Sequence, residues 1–238
     1  MISSAARASA AAGIAGPVAF TSAWIASSLR QTGYPAAEIQ LSGLAAPDAR
    51  DPWIMVAGFA VLGGCTVAFG AALHDALGHA AGGRGRWRGG VGQGRWRGGA
   101  GLAPRLIHGA GLLTIAVGLL RRDRMLLTPG SVSWHNHAHD VISAVIYADL
   151  VAAQVLLAAR FGRDPGPGAE DWRRWRPWML ASGLATGAAL VVFAADTSAA
   201  GAGVLQRVAV TIPLVAIAAI AARLLRTQFR TPVRSGWP

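Results

Sequence analysis

Lysine is absent from this chain, so all 22 of its basic side chains are arginine. Cysteine occurs once, as Cys65 in the middle of an apolar run. One cysteine excludes an intramolecular disulfide, and a thiol in apolar surroundings is inert packing rather than a redox group. Charge of either sign is scarce: 14% of the residues are charged, against roughly 25% in an ordinary soluble domain. That shortage, with 53% hydrophobic residues and a mean hydropathy of +0.41, excludes an ordinary soluble domain. The all-arginine basic set has two readings. Arginine is the better bidentate phosphate ligand, and an Ala/Gly-rich composition bias has the same effect. A net charge of +11 suits nucleic acid or anionic lipid, and only the placement of the arginines separates the two.

What is present in quantity is long apolar runs. A helix needs about 20 mainly apolar residues to cross the hydrocarbon core. Six segments come close: 10–29, 52–73, 103–120, 138–159, 178–195 and 204–225. They lack the polar position at every turn that a half-buried soluble helix shows. Inside a bilayer each backbone group must pair within its own segment, so the helix is the expected conformation. The sequence thus predicts an all-α, six-span membrane protein, a single membrane domain over 1–238. The first run resembles a signal peptide with Arg7 ahead of it, but it continues through Trp24 and Ile25, so a retained span is expected.

Arginine placement sets the expected orientation. The segment 82–102 carries Arg84, Arg86, Arg88, Arg95 and Arg97, and the segment 160–177 carries Arg160, Arg163, Arg173, Arg174 and Arg176. The alternate connections hold the acids Glu38, Asp48, Asp51, Asp123 and Asp196. By the positive-inside rule both termini and the two arginine-rich loops are cytoplasmic, in the plasma membrane. The 82–102 segment repeats Gly-Arg-Trp-Arg-Gly-Gly, at 85–90 and 94–99. Such a composition suits single-stranded nucleic acid. Tethered between two spans, it is read instead as a flexible linker whose arginines meet anionic lipid headgroups, with no nucleic acid partner. On the outer side, Gln31–Asp51 mixes Tyr34, Pro35, Ile39, Leu41 and Leu44 with polar residues, which predicts an ordered piece capping the bundle.

The polar residues of interest gather at the start of the fourth run, where Ser131–Asp140 holds three of the six histidines. With about 3.6 residues per turn, His135 and His139 share a face, and His137 points away. Asp149 lies on the order of 15 Å deeper than His139 at 1.5 Å per residue, where a carboxylate is costly without a partner. Tyr147 sits on a neighbouring stripe. The expected ligand pocket therefore has Asp149 and Tyr147 as its floor and Asp123, His135, His139, Asp140 and Arg207 at its rim, with Gln31–Asp51 as a lid. His135 and His139 are also a candidate zinc pair, since two histidines at i and i+4 with a carboxylate suit a metal with an open coordination position. A proton relay and a simply solvated helix end are the other readings of the same residues. A second polar group, His74, Asp75 and His79 with His108, marks the inner ends of the second and third runs.

These motifs resemble the bacterial and archaeal integral-membrane family known as domain of unknown function 998. The resemblance rests on Leu41-Ser-Gly-Leu44 between the first spans and on a Gly-rich third span ending near Asp123. It also rests on the histidine-bearing start of span four and on Gly203-Val-Leu-Gln-Arg207 opening span six. Arg121-Arg122 departs from the Phe-Pro type of lead-in to that aspartate. The resemblance implies a six-helix bundle and no particular activity. Three functions stay open: binding or moving a lipid or small amphiphile, metal-dependent intramembrane hydrolysis, and a scaffold, as a homo-oligomer or with a membrane partner, whose small residues let helices pack closely.

Overall fold

The computed structural model describes residues 4–81, 97–126, 132–162, 172–195 and 201–228, with side chains described outside 78–100. The Arg/Gly repeats before residue 97, Asp196 and the tail beyond 228 lie outside the described residues, as does the His79 side chain. Six helices are long and apolar enough to cross a membrane. They are α1 (Ser4–Arg30), α2 (Trp53–Ala81), α3 (Arg97–Leu119), α4 (Trp134–Phe161), α5 (Arg176–Ala195) and α6 (Ala202–Gln228). A short 3-10 helix, Leu41–Ala45, lies between α1 and α2. No strand occurs among the described residues. The linker expected over 82–102 overlaps α3, which is already helical from Arg97.

Helix α4 begins one turn ahead of its apolar run. Ser133 is in extended conformation and its side chain accepts from the Asn136 backbone N–H, an N-cap that satisfies one of the four unpaired donors of a first turn. That cap brings His135, His137 and His139 into the helix.

Each helix packs on its neighbours in the chain, and α1 packs on α6, so the six form a closed ring in chain order. The α2–α3 seam is the closest approach. A Cβ on Gly63 would stand 2.6 Å from the Gly111 carbonyl oxygen, and one on Gly111 would stand 2.7 Å from the Val67 nitrogen. Only glycine on both sides permits that backbone contact, which supplies dispersion attraction where no hydrophobic drive exists between helices in lipid.

The core is mainly apolar, but the outer surface differs from that of a soluble bundle. Leu119, Val141, Leu184, Val191 and Val215 are exposed, whereas Thr66, Thr114, Asn136, His139, Gln154 and Thr186 are buried. Apolar side chains on the outside, with a few polar groups held inside an otherwise apolar core, is an arrangement that hydrocarbon as solvent favours. The chain is thus a multi-pass membrane protein.

The α1–α2 connection closes one end of the ring, here called the cap end. Its neck is zipped by Arg30 on Asp51 (2.6 Å) and by Gln31, whose amide exchanges two bonds with the Arg50 backbone. Leu41, Leu44 and Ala45 then turn down into a core with Phe20, Met55, Phe59 and Leu214.

Candidate functional site

The α1–α2 connection, the described residues between α3 and α4, and the first turns of α6 meet at the cap end, and two arginines join them. Arg207, in the second turn of α6, donates to the carbonyls of Ala36 (2.7 Å), Ile39 (3.0 Å) and Gly203 (2.8 Å) and to the Tyr34 hydroxyl (2.6 Å). Its guanidinium also lies over the rings of Trp24 and Tyr34. Next to it, Gln206 accepts from the Leu41 N–H, and the Gly203 N–H donates to Ala37 at 2.8 Å. Arg207 therefore staples the cap to α6 through both terminal nitrogens of its guanidinium.

Arg122, just past α3, is the second staple. Its side chain is 8% exposed and pairs with Asp140 at 3.1 Å. Another nitrogen donates to the Gln40 side chain, and Asn136 donates to the same Asp140 carboxylate at 3.0 Å. Burial pulls the Arg122 guanidinium below its ordinary value, while Asp140 and, further off, Asp123 act the other way. Two buried atoms here have no partner among the described residues, Arg122 Nε and Asn136 Oδ1.

Asp123 belongs to a separate small cluster. Its carboxylate accepts from both the hydroxyl and the backbone N–H of Ser133, with His135 3.6 Å away. The Ser133 hydroxyl, its N–H and His135 together hold the Asp123 carboxyl below the usual carboxylate range. Its role here is to fix Ser133, which caps α4.

The two histidines proposed as a metal pair have different surroundings. His135 is half-exposed beside Ser133 and Asp123. His139 is 2% exposed and its Nδ1 contacts the Leu120 carbonyl at 2.6 Å. Among the described residues, no three His, Cys, Asp or Glu side chains come together as a metal-holding group.

Below the cap lies a cavity of about 70 Å³, room for several waters at about 10–15 Å³ each. Toward the cap its lining carries the polar Ser42, His139, Ser143 and Gln206 among the apolar Leu41, Phe20, Phe59 and Val117. Farther in it is mixed, with Leu62, Leu150 and Ile217 beside Thr66, Thr114 and Tyr147. Eleven residues of α4 separate His139 from Leu150, so the lining runs roughly 16 Å along the bundle at 1.5 Å per residue. Thr114 spends its hydroxyl on the Ala110 carbonyl (2.7 Å), whereas the Ser143 and Tyr147 hydroxyls make no hydrogen bond among the described residues. Pro213, also in the lining, has no N–H for the Ala209 carbonyl one turn back. α1, α2, α3, α4, α6 and the 3-10 helix all line this space, and α5 does not.

Of the expected pocket residues, the structure brings His139 and Tyr147 to this cavity. Asp140, Asp123, His135 and Arg207 stand in the cap-end networks above it. Asp149 is outside the lining, on the α3 side of α4, where its carboxylate lies 3.7 Å from the place a Gly109 Cβ would take.

Residues 14–223 match the family model described as "Protein of unknown function (DUF998)". The chain belongs to that family. In this DUF998 protein the match extends from α1 into α6 and includes the cap, both arginine staples and the whole cavity lining. No curated protein and no solved structure matches the chain.

Three residues of this end escaped the sequence reading: Gln40, Asn136 and Gln206. Gln206 stood beside Arg207 in the quoted motif, and Asn136 stood between two histidines. Arg122, with Arg121 and Arg124 beside Asp123, reads from the sequence as a clamp for an acidic headgroup or as a solvated loop; the structure places it on Asp140 and Gln40.

Proposed function

We propose that this DUF998 protein binds a single-chain amphiphile, with its polar head under the 3-10 helix and its apolar chain in the cavity between the helices. The observation that carries this reading is the lining, which runs roughly 16 Å in all: aromatic and aliphatic side chains along its length, with Ser42, His139, Ser143 and Gln206 supplying hydrogen-bonding groups toward the cap. An unsatisfied hydroxyl facing an enclosed, largely apolar space calls for a polar occupant, and Ser143 and Tyr147 offer two. Ligand sites in bundles commonly lie between helices, with apolar walls and a few placed polar groups; this space, at about 70 Å³, takes an acyl chain only if lining side chains move aside.

The arginine distribution supports a cap that faces the outside of the plasma membrane, with both termini inside. The amphiphile would then enter from the outer leaflet or the outer water phase. Movement of that ligand, coupled to protons through Asp149, is a wider form of the reading and is measured separately by Asp149→Asn in a transport assay.

Photolabelling tests the core of the proposal. A fatty-acyl probe with a diazirine at mid-chain should label the inner faces of α4 and α6, around Tyr147, Leu150 and Val210. Ser143→Trp, which fills the polar end, should lower that labelling at least ten-fold. Label confined to outward residues such as Val145, Val191 and Val215, and indifferent to Ser143→Trp, overturns it.

A further inference from the structure

The end of the bundle opposite the cap carries a polar group that neither the staples nor the cavity uses. His74 and Asp75 on α2 and Arg105 and His108 on α3 line an open groove of about 330 Å³ with Gly70, Ala71 and Pro104. Its back wall is the two helix backbones in contact: a Cβ on Gly70 would lie 2.9 Å from the His108 nitrogen and 3.0 Å from the Pro104 oxygen. Gly101 keeps the front clear. The spot a Gly101 Cβ would occupy is 3.9 Å from His74 Cε1 and equally 3.9 Å from Arg105 Cζ. An imidazole from one helix and a guanidinium from the next thus converge on one small space.

Four of the other arginines near the bundle ends are engaged within the protein, whereas Arg7, Arg174, Arg176 and Arg226, exposed and without hydrogen bond or ion pair among the described residues, do not line this groove. Arg207 and Arg122 are spent on the cap, Arg160 donates to the Leu77 carbonyl, and Arg223 lies against Trp172 at 4.6 Å. Arg105 is exposed and makes no ion pair or hydrogen bond among the described residues. A guanidinium presents parallel N–H donors that match phosphate oxygens, and two imidazoles beside it add ring-nitrogen sites for hydrogen bonds. The Asp75 carboxylate on the same lining disfavours a doubly charged group. A phosphodiester, with a single negative charge, fits that balance better than a phosphomonoester. Leu102, one turn from Arg105 on α3, is exposed and offers an apolar surface beside the groove.

We propose that the His74–Arg105–His108 groove holds the phosphodiester headgroup of a membrane lipid, in the leaflet opposite the cap. The site is independent of the amphiphile cavity, which lies at the other end and shares no lining residue with it.

The test uses the full chain, freed of lipid in an uncharged maltoside detergent, with binding followed by native mass spectrometry. Phosphatidylglycerol should bind, and Arg105→Gln should raise its Kd about ten-fold or more, the loss expected for a charge-assisted bond. Arg105→Lys should recover part of the affinity. Gly101→Leu, which keeps every charge but fills the convergence point, should weaken binding as Arg105→Gln does. Diacylglycerol, with tails and no phosphate, should bind far more weakly. Dimethyl phosphate, a phosphodiester with no tails, separates the sources: binding lost in Arg105→Gln assigns recognition to the headgroup alone. Its silence while phosphatidylglycerol binds assigns the ligand to the bilayer. Equal affinity for diacylglycerol, or phosphatidylglycerol binding unchanged in both Arg105→Gln and Gly101→Leu, overturns the proposal.

Discussion

Replacing Arg207 by glutamine should release the cap while leaving the bundle standing. The arginine gives four hydrogen bonds, three of them to backbone carbonyls, and glutamine is too short to reach more than one or two. Bonds from a charged donor are worth about 1.5–3 kcal/mol each. They are not additive within one network, and Arg207 is only partly buried, so we take about 3 kcal/mol in total. At 1.4 kcal/mol per decade that is roughly a hundred-fold rise in the opening equilibrium of the cap. Amide exchange read by mass spectrometry in detergent reports this directly for the peptide covering 34–45. Exchange there should accelerate on the order of a hundred-fold in Arg207→Gln, with Arg207→Lys in between. Peptides from the α2–α3 seam should keep their wild-type protection, because no staple touches them. Unchanged exchange over 34–45 would refute the view that Arg207 is the main tie. A uniform acceleration of all helices would refute the local character of the effect.

Acid should act on the second cluster. The Asp123 carboxyl is held below the usual range, chiefly by Ser133, so the stability it adds is present above the unfolded value near 4 and is lost as pH falls through the folded value. Melting curves between pH 7 and pH 3 should therefore drop less in Asp123→Asn than in wild type, and parallel curves would show that Asp123 adds nothing. At the α2–α3 seam, Gly111→Ala would put a methyl 2.7 Å from the Val67 nitrogen, so a loss of about 1–3 kcal/mol is expected from overpacking. Gly187→Ala on α5 meets nothing within 4 Å and should leave the melting temperature in place, which makes the pair a matched control. Gly203→Ala would stand 2.6 Å from the Ile39 carbonyl oxygen and should reproduce the loose cap of Arg207→Gln in the same exchange experiment.

The helices were legible because apolar length is a one-dimensional property, and each of the six runs carries it on its own. The start of α4 was nearly legible, since Ser133 is a strong N-cap residue and Asn136 follows at the capped position. The cap could be read as ordered from Tyr34, Pro35 and Leu44, but not its partners. Arg207 reaches across 171 residues of chain to Ala36, and no local pattern encodes such a pairing. For the same reason the sequence offered Arg207 as a free ligand group, whereas the fold surrounds it with carbonyls. Asp149 illustrates the converse: helical periodicity gives its angle on α4, but which neighbour stands at that angle depends on the ring. The cavity itself arises from which side chains of five different helices fail to fill the centre, and that is a volume, not a motif.

The closed ring has a consequence for how the protein is made. Because each helix packs on the one before it, successive helices can settle in the order in which they leave the ribosome. The cap is the exception, since Leu41 must wait for Gln206, 165 residues later. At roughly 5–20 residues per second this is a delay on the order of ten to thirty seconds. During that interval the carbonyls of Ala36 and Ile39 lack the donor that α6 brings them, and the central space is open to the surrounding lipid. An amphiphile that enters then would be enclosed when α6 closes the ring, so the first occupant of the cavity can be acquired during synthesis rather than through the finished cap.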